Sequence, residues 1–525
     1  MFSSPYPDVD IPDLSVHDHL FGGLSEADLD RVALVDGTTG ASGTYRTLVT
    51  NIGLVAGYLA AHGVKPGDVV GLLSPNIPAF APVFHGILRA GAAATTINAL
   101  YTAEEVAHQL QDAGATWLFT IAPFLERAEE AARTAGIPAE QLVVIGGDGE
   151  AHPAYPGILE EGHLAPDVTI DPATHIAVLP FSSGTTSAPK GVMLTHRNLV
   201  ANVQQARALL EVVPEDRLLA LLPFFHIYGM TVLLNLALAE RASLVTMPKF
   251  DLTEFLRIIQ EHRISYLFIA PPVAVALAKH PLVAEYDLSS VHTALSGAAP
   301  LDEELGHAVA ERIGCRMLQG YGMSEMSPVS HLIPRSAEGV PLGSCGYTVP
   351  NMDMRIVDLA TGEDIDPPAE GVSEPGHLLC RGPNVMLGYL NLPEATAEAL
   401  DTDGFLHTGD IATVSSTGVV TIVDRLKELI KYKGYQIPPA ELEAVLLTHP
   451  EIADAAVVGA YDEDHQEVPK AFVVRQAGSA LDAEGVMSFV AKHVAPHKKV
   501  RQVEFLDAIP KSASGKILRR ELRKG

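Results

Sequence analysis

The spacing of apolar and polar positions predicts alternating helices and strands over roughly the first 330 residues. Apolar residues recur at helical spacing over residues 45–62 and 103–113, whereas residues 69–73 and 116–120 are short apolar runs typical of buried strands. Because helix and strand patterns follow each other in this order, we predict parallel sheets with helices on their faces, an α/β fold.

The pattern changes between residues 343 and 423, where short apolar runs (354–357, 377–380 and 419–423) alternate with Gly, Pro and Asp turns. Such a pattern predicts a small antiparallel or barrel-like subdomain, at about residues 335–423. A hinge is predicted at 424–427. It separates a large N-terminal domain of α/β sheets, residues 1–423, from a small, mobile α+β lid domain, residues 428–525. The lid has predicted helices at 439–447 and 486–493 and predicted strands at 455–459 and 471–474.

Composition narrows the class of protein. The 525 residues are 47% hydrophobic and 19% charged, which predicts a well-packed enzyme with more than one domain. Asp and Glu number 64 against 36 Lys and Arg, a formal charge of -28, which argues against nucleic-acid binding and requires local cations to hold anionic substrates. The sparse cysteines, the lack of a signal-like N-terminus and the lack of a long apolar run predict a cytoplasmic protein with no membrane span. The oligomeric state stays open.

Residues 181–191, Phe-Ser-Ser-Gly-Thr-Thr-Ser-Ala-Pro-Lys-Gly, are the most informative segment. A predicted strand at 176–181 precedes them, and residues 192–200 are predicted to open a helix with Thr195 as N-cap. A loop rich in hydroxyls and glycines, with one lysine, between a strand and a helix can hold a polyphosphate. It is not a P-loop, because Pro189 and Gly191 flank Lys190. The alternative interpretation is a solvated Ser/Gly linker.

Further polar residues occur in short motifs, each with a structural alternative. His226 among aromatics could polarise an acid-binding tunnel or be an ordinary core histidine. Residues 296–300, Ser-Gly-Ala-Ala-Pro, could admit a flat ligand or form a tight turn. In residues 319–325, Tyr321 offers a face for base stacking, and Glu325 offers a carboxylate for Mg²⁺. Asp410 could accept ribose hydroxyls or occupy a β-turn.

Two lysine-containing segments lie toward the C-terminus. Residues 424–436 interleave cations with apolar residues, which alone would more often be a solvated amphipathic surface. Residues 510–519 place Lys516 in a Ser/Gly loop, which in isolation would indicate little.

Together these motifs, from about residue 176 to 519, resemble in order and spacing the adenylate-forming superfamily of acyl-CoA synthetases, luciferases and adenylation domains. The pairing of His226-Ile-Tyr-Gly with Lys431-Tyr-Lys-Gly-Tyr-Gln is most similar to 4-coumarate–CoA ligases. Residues 386–396 also match a family signature, which we interpret as structural. The chain departs from the family at Ser324, where Thr is usual, and at Val232, where Ser is usual.

The resemblance implies a role for each matching residue. The nucleotide contacts would be Ser182, Ser183, Gly184, Thr185, Thr186, Lys190, Gln319, Gly320, Tyr321, Ser324, Asp410, Arg425 and Gln436. The acyl pocket would comprise Tyr228, Ser296, Gly297, Ala298, Gly320, Pro328 and Val329. Coenzyme A would meet Lys433, Gly434 and Lys249; Glu325 and Thr186 would hold Mg²⁺; Lys427 would be the pivot; and the catalytic residues would be Lys516, Lys431 and His226.

The implied activity uses ATP, Mg²⁺ and coenzyme A to convert a small carboxylic acid of the cinnamate or 4-coumarate type into its thioester through an acyl-adenylate. Val232 puts recognition of ring hydroxyls in question. The alternatives are a medium- or long-chain fatty acyl-CoA synthetase, a luciferase-like enzyme, a module that loads carrier proteins, and a non-catalytic nucleotide-binding protein.

Overall fold

A computed structural model describes residues 1–146, 151–182, 189–432, 435–462, 467–512 and 515–523. The first part of the chain alternates strands and helices. Its strands are β1 (Phe2–Ser3), β2 (Val32–Asp36), β3 (Ser42–Thr44), β4 (Val69–Leu73), β5 (Ala93–Thr96), β6 (Ala115–Ile121), β7 (Leu142–Ile145), β8 (Ile176–Val178) and β9 (Phe181–Ser182). Its helices are α1 (Val16–Phe21), α2 (Glu26–Leu29), α3 (Tyr45–Ala61), α4 (Phe80–Arg89), α5 (Ala103–Ala113), α6 (Leu125–Ala135) and α7 (Tyr155–Glu161).

The alternation continues through the middle of the chain. The strands are β10 (Lys190–Thr195), β11 (Arg217–Ala220), β12 (Ser243–Thr246), β13 (Tyr266–Ile269), β14 (Thr293–Ser296), β15 (Arg316–Gly322) and β16 (Val329–Leu332). The helices are α8 (His196–Leu210), α9 (Leu236–Ala239), α10 (Leu252–His262), α11 (Pro271–Lys279) and α12 (Glu303–Ile313), with a π-helix over Tyr228–Asn235.

The last part is richer in strands. They are β17 (Tyr347–Thr348), β18 (Asp353–Val357), β19 (Gly376–Arg381), β20 (Gly388–Tyr389), β21 (Leu406–Val414), β22 (Val420–Arg425), β23 (Ile430–Tyr432), β24 (Tyr435–Ile437), β25 (Ile452–Tyr461), β26 (Glu467–Arg475) and β27 (Gln502–Phe505). The helices are α13 (Pro393–Ala399), α14 (Pro439–Leu447), α15 (Ala483–His493) and α16 (Arg519–Leu522).

Two large sheets build the N-terminal part. One runs β20-β10-β8-β5-β4-β6-β7, and the other runs β17-β16-β15-β14-β13-β11-β12-β2-β3. In the second sheet β13, β14 and β15 are parallel neighbours, with Ser296 beside Gln319 in register. The carboxyl ends of these three strands therefore open on one edge, where ligands commonly bind in α/β sheets.

The antiparallel sheet β1-β18-β19-β21-β22 follows, and β25, β26 and β27 form a separate sheet. Residues beyond 428 pack into apolar clusters of their own, around Ile430, Leu442, Val457 and Val473 and around Phe472 and Ile509. The predicted α/β class, with a large N-terminal part and a small C-terminal one, is confirmed. None of the described helices combines the length and apolarity that crossing a membrane requires.

Most predicted elements match the structure, but the segment after the Ser/Gly-rich loop does not. We predicted that the loop leads straight into a helix. Instead Lys190–Thr195 is a strand, and Lys190 pairs antiparallel with Ser182. The helix begins one residue after Thr195, which does form its N-cap: the Thr195 side chain accepts from the Asn198 amide. β9 and β10 are therefore an antiparallel pair, and β10 also pairs with β8 and β20.

Candidate active site

Lys190, the first residue of β10, is linked to the carboxylate of Glu325 by the side chain of Tyr389. The Lys190 ammonium lies over the Tyr389 ring, 4.7 Å from its centroid, and the Tyr389 hydroxyl donates to Glu325 Oε1 at 2.8 Å. Burial and the neighbouring carboxylate raise the pKa of Tyr389, so its hydroxyl stays a donor. Ser183, Gly184, Thr185 and Thr186 lie outside the described residues.

Glu325 fits the predicted Mg²⁺ role. It belongs to the short turn Ser324–Met326 that follows β15, and it is buried, with Tyr389 as partner to one of its two carboxylate oxygens. One or two carboxylates are the usual protein contribution to a magnesium–nucleotide site. The second predicted ligand, Thr186, is outside the described residues.

Asp410 contacts one residue of β15, Tyr321, and one residue of β22, Arg425. Its carboxylate accepts from the Tyr321 hydroxyl at 2.5 Å and lies 3.4 Å from Arg425 Nε, since β21 and β22 place Asp410 opposite Arg425 in register. Burial raises the pKa of Asp410, while Arg425, Tyr321 and Lys516 oppose the rise. The phenol and the guanidinium thus hold one buried carboxylate at a fixed orientation.

Lys516 comes from the far end of the chain to the same place. Burial and the charge of Arg425 together lower its pKa to about 8, while Asp410, Glu428 and Glu325 oppose the shift. The preceding Gly515 lies against the N-terminal part at the end of β13, where an added Cβ would be 3.3 Å from Ala270. The C-terminal loop is therefore seated at the carboxyl edge of the second sheet.

His226 lies within the electrostatic reach of Lys516. Burial and the positive charge of Lys516 together lower the pKa of His226 to about 4. The Tyr228 amide donates to His226 Nδ1 at 3.3 Å, so the neutral imidazole carries its proton on Nε2. Gly229 is required at this bend, because a Cβ there would lie 2.2 Å from the Pro223 carbonyl oxygen.

Gly297, one of the residues predicted for the acyl pocket, packs against Tyr228. The Tyr228 hydroxyl donates to the Leu295 carbonyl at 3.4 Å, and an added Cβ at Gly297 would be 2.8 Å from its ring. Ser296 is buried, and its hydroxyl has no partner in the part of the chain that the structure describes. Ala298 adopts a positive φ of 71° just beyond.

Pro328 and Val329 border the end of β15. The Met323 amide donates to the Pro328 carbonyl at 3.0 Å, and a Cβ at Gly322 would lie 2.1 Å from the same oxygen. Gly320 packs closely too, since a Cβ there would be 2.6 Å from the Leu332 side chain.

The side-chain amide of Gln319 is hydrogen-bonded to backbone groups of the protein. Its side-chain oxygen accepts from the Leu301 amide, and its nitrogen donates to the Leu342 and Ser344 carbonyls. Its amide therefore braces two loops beside the site, and only its backbone remains for a nucleotide.

The remaining predicted residues lie apart or cannot be placed. Lys249, Lys427 and Lys431 are exposed, and the Lys431 amide donates to Glu467 at 2.9 Å. Gln436 opposes Lys431 in the β23–β24 hairpin, and Lys433 and Gly434 lie outside the described residues.

Sequence reasoning missed two contributions. No chemistry was assigned to residues 386–396, yet Tyr389 links Lys190 to Glu325. A buried ionic network also lies in the C-terminal part: Arg519 contacts Glu428 at 2.9 Å and Glu443 at 2.6 Å. The only signal for Tyr389 was the family match, and Arg519 offered none, because its partners are 91 and 76 positions away.

The chain is similar in sequence to a known family of enzymes. A family model described as AMP-binding enzyme matches residues 25–390, and its C-terminal domain model matches residues 441–516. The chain belongs to the AMP-binding enzyme family. 4-Coumarate–CoA ligase 3 of Oryza sativa subsp. japonica is 42% identical over 532 residues, covering 100% of this chain and 94% of that protein. 4-Coumarate–CoA ligase 2 of Solanum tuberosum is 41% identical over 533 residues, covering 100% and 96%.

Solved structures of AMP-binding enzymes agree with this assignment. ATP-bound MatB from Rhodopseudomonas palustris superposes with a TM-score of 0.87 at 28% identity, covering 97% of this chain and 98% of that one. The anthranilate CoA ligase AuaEII, in complex with anthranoyl-AMP, gives a TM-score of 0.89 at 25% identity, with 98% of each chain covered. Within its family the chain is an adenylate-forming, AMP-forming acid–CoA ligase.

Proposed function

We propose that this ligase activates an aromatic carboxylic acid of the cinnamate or 4-coumarate type and transfers it to coenzyme A. The observation that carries the proposal is the position of Lys516, a half-buried cation whose loop packs at the end of β13 and which lies within the electrostatic reach of His226, Asp410, Arg425 and Glu325. In the first step a substrate carboxylate oxygen attacks the α-phosphorus of ATP, and pyrophosphate leaves. In the second the coenzyme A thiolate attacks the acyl carbon, and AMP leaves.

The first step requires charge neutralisation rather than a side-chain nucleophile. Lys516 and Lys190 would stabilise the negative charge that moves between the phosphates. Asp410 would accept the ribose hydroxyls, and Tyr321 would stack on the base. Mg²⁺, when held by Glu325, would neutralise part of the phosphate charge. Tyr389 would orient the Glu325 carboxylate by donating to one of its oxygens.

The second step would use a different arrangement of the lid. Rotation about Lys427, which is exposed in the short segment after β22, would withdraw Lys516 and bring the β23–β24 hairpin toward the adenylate. Lys431 and Gln436 would then face the adenylate, and Lys433, Gly434 and Lys249 would receive coenzyme A. The exposure of Lys431 supports this role, since it is free to move without breaking a side-chain contact within the described residues.

The aromatic preference rests on the relatives and on the apolar wall around Tyr228. The Tyr228 ring lies 6.5 Å from that of Phe268, edge to face, and Val232, one helical turn further on, is fully buried. An apolar side chain at 232 cannot receive a hydrogen bond from a ring hydroxyl, and an unpartnered hydroxyl costs free energy when buried. We therefore expect cinnamate to be preferred over caffeate.

Coenzyme A–dependent AMP release with cinnamate, 4-coumarate, caffeate and octanoate side by side tests the proposal. We expect kcat/KM for cinnamate to exceed that for octanoate by about 10-fold or more. The variant Val232→Ser should shift the ratio toward 4-coumarate and caffeate. A preference for octanoate would instead identify a fatty acyl-CoA synthetase, and pyrophosphate release without coenzyme A–dependent release of AMP would exclude the thioester step.

A further inference from the structure

Three potential metal ligands meet at the ends of two helices, and none belongs to the motifs described above. They are His62, which caps the C-terminus of α3, Glu161, the last residue of α7, and His163, two positions further on. One ligand atom from each side chain lies within 4.8 Å of those of the other two. Two imidazoles and a carboxylate within this distance can bind one cation.

His62 has one ring nitrogen that can act as a ligand while the other is hydrogen-bonded. Its Nδ1 lies 2.9 Å from the Tyr58 carbonyl oxygen, and its ring packs against the Tyr58 ring with centroids 4.0 Å apart. A carbonyl only accepts, so Nδ1 carries the proton and Nε2 keeps its lone pair. Metal-binding histidines usually have this bond from the second ring nitrogen to a carbonyl or carboxylate.

The backbone holds the other two ligands close to α3. A Cβ added at Gly57 would lie 2.1 Å from the His163 carbonyl oxygen and 2.7 Å from that of Leu164, so the chain after α7 packs directly on the helix. His163 Nε2 lies 3.0 Å from Glu161 Oε2, and the His62 and His163 rings are 5.9 Å apart. The donor groups are therefore brought together by the fold before any cation binds.

We propose that His62, Glu161 and His163 form a binding site for a late first-row divalent cation such as Zn²⁺ or Ni²⁺. Imidazole nitrogen is a preferred ligand for these ions, and three protein ligands leave a coordination position for water. The partial negative charge at the C-terminus of α3 favours a cation at the same point. A bound ion would tie the end of α3 to the end of α7.

The chain carries its own reporter for this site. Trp117 is its single tryptophan, and its buried ring lies 6.4 Å from the His62 ring and 6.1 Å from the Tyr58 ring. Ni²⁺ quenches tryptophan emission at short range, whereas Zn²⁺ does not. All tryptophan emission from the full-length, untagged enzyme reports on this one neighbourhood.

The experiment titrates the untagged enzyme with Ni²⁺ while Trp117 emission is followed, and then adds Zn²⁺. We expect saturable quenching with a stoichiometry of one and recovery of emission with Zn²⁺. His62→Gln and His163→Gln should each weaken Ni²⁺ binding by about 10-fold or more, and Glu161→Gln should weaken it less. These side chains are at least partly exposed, so the variants should fold, which circular dichroism checks.

The matched control is His307→Gln, which disrupts an exposed His–Glu pair on α12 that has no third ligand among the residues the structure describes. It should leave the Ni²⁺ titration unchanged. Quenching that rises linearly without saturation, or saturable quenching that survives the double substitution of His62 and His163 by Gln, would overturn the proposal. So would equal weakening by the His307 control.

Discussion

The Tyr389 hydroxyl donates to Glu325 Oε1 at 2.8 Å, while the face of the same ring lies beneath Lys190. One side chain thereby holds the carboxylate proposed for Mg²⁺ and the lysine proposed for phosphate in fixed relation. Partners that orient a metal ligand commonly change metal affinity or activity by 10- to 100-fold when removed.

Tyr389→Phe should therefore raise the Mg²⁺ concentration needed for half-maximal pyrophosphate release, by about 10-fold. The ring beneath Lys190 is kept, so the loss isolates the hydroxyl. A Mg²⁺ titration of the adenylation rate measures this effect. Tyr461→Phe is the control, because Tyr461 is 71% exposed on β25. An unchanged Mg²⁺ requirement in Tyr389→Phe would show that the hydroxyl does not orient Glu325.

Lys516→Ala should slow acyl-adenylate formation by about 10²- to 10³-fold, the usual cost of losing one charge-stabilising donor. Thioester formation from added acyl-adenylate should be spared, because the lid is proposed to withdraw Lys516 before that step. Separate assays of the two half-reactions measure this split.

Lys511→Ala is the matched control for Lys516. Lys511 belongs to the same loop, but its ammonium contacts Asp454 at 2.5 Å within the lid. Equal damage to both half-reactions in Lys516→Ala would argue against a role confined to adenylation.

The low pKa of Lys516 predicts a pH limit on adenylation. Burial and Arg425 lower that pKa to about 8 from an ordinary 10.5, so the free enzyme loses the positive charge as pH rises through about 8. kcat/KM for ATP, which reports on the free enzyme, should fall above this pH. In Lys516→Arg the fall should move to higher pH, since a guanidinium stays protonated. A pH profile identical in both proteins would assign the limit to another group.

Buried histidines predict acid sensitivity of the fold. Burial lowers the pKa of His85 to about 3 from 6.5, and its ring, packed against Phe21 and Phe84, has no hydrogen-bond partner in the described ranges. Other histidines with lowered pKa values are His17, His19, His196, His226, His331 and His377. Below pH 6.5 the unfolded chain binds protons that the folded chain does not, so stability falls as pH drops from 6.5 toward 3 and is unaffected well above 6.5.

His85→Leu should reduce this pH dependence. Each such histidine contributes about 1.4 kcal/mol per pH unit to the slope of the unfolding free energy between the two pKa values. Denaturant unfolding at several pH values below 6.5 measures the slope, and the exposed His307→Gln is the control. A slope unchanged in His85→Leu would mean that His85 is protonated in the folded protein.

The ion pairs of Arg519 with Glu428 and Glu443 are expected to stabilise the C-terminal part of the chain. Arg519→Ala leaves Glu428 and Glu443 buried without their cation, which typically costs about 3–5 kcal/mol. Burial already raises the pKa of Glu443 to about 7, which indicates how strongly that site disfavours an unpaired charge. Limited proteolysis should cut the lid of Arg519→Ala sooner than that of Arg520→Ala, its exposed neighbour. Equal cleavage rates would contradict a supporting role for the network.

Local sequence predicted most of the secondary structure, because the deciding interactions are local. The helix Ala103–Ala113 was predicted with its observed bounds, since its apolar positions recur at helical spacing and Thr102 and Glu105 form a capping box. Residues 192–194 were assigned wrongly because three apolar residues carry no periodicity, and pairing with β8 and β20 made them a strand.

The site was less accessible to sequence reasoning than the fold. Motifs named Lys516 and Asp410, but no local rule brings the two together across 105 intervening positions. Tyr389 was missed for the same reason: its hydroxyl acquires a role only when β20 pairs with β10 and meets the turn after β15.

Gly515, the residue before Lys516, allows the C-terminal loop to approach the end of β13 closely. Its φ is +84°, and an added Cβ would press to 3.3 Å from Ala270 and 3.4 Å from Pro272. Any larger residue would both strain the backbone and push the loop away from the end of β13 by a few tenths of an ångström. Because glycine has no side chain, the C-terminal loop can pack closely against the N-terminal part at this point. The position of the Lys516 ammonium therefore depends on glycine at residue 515.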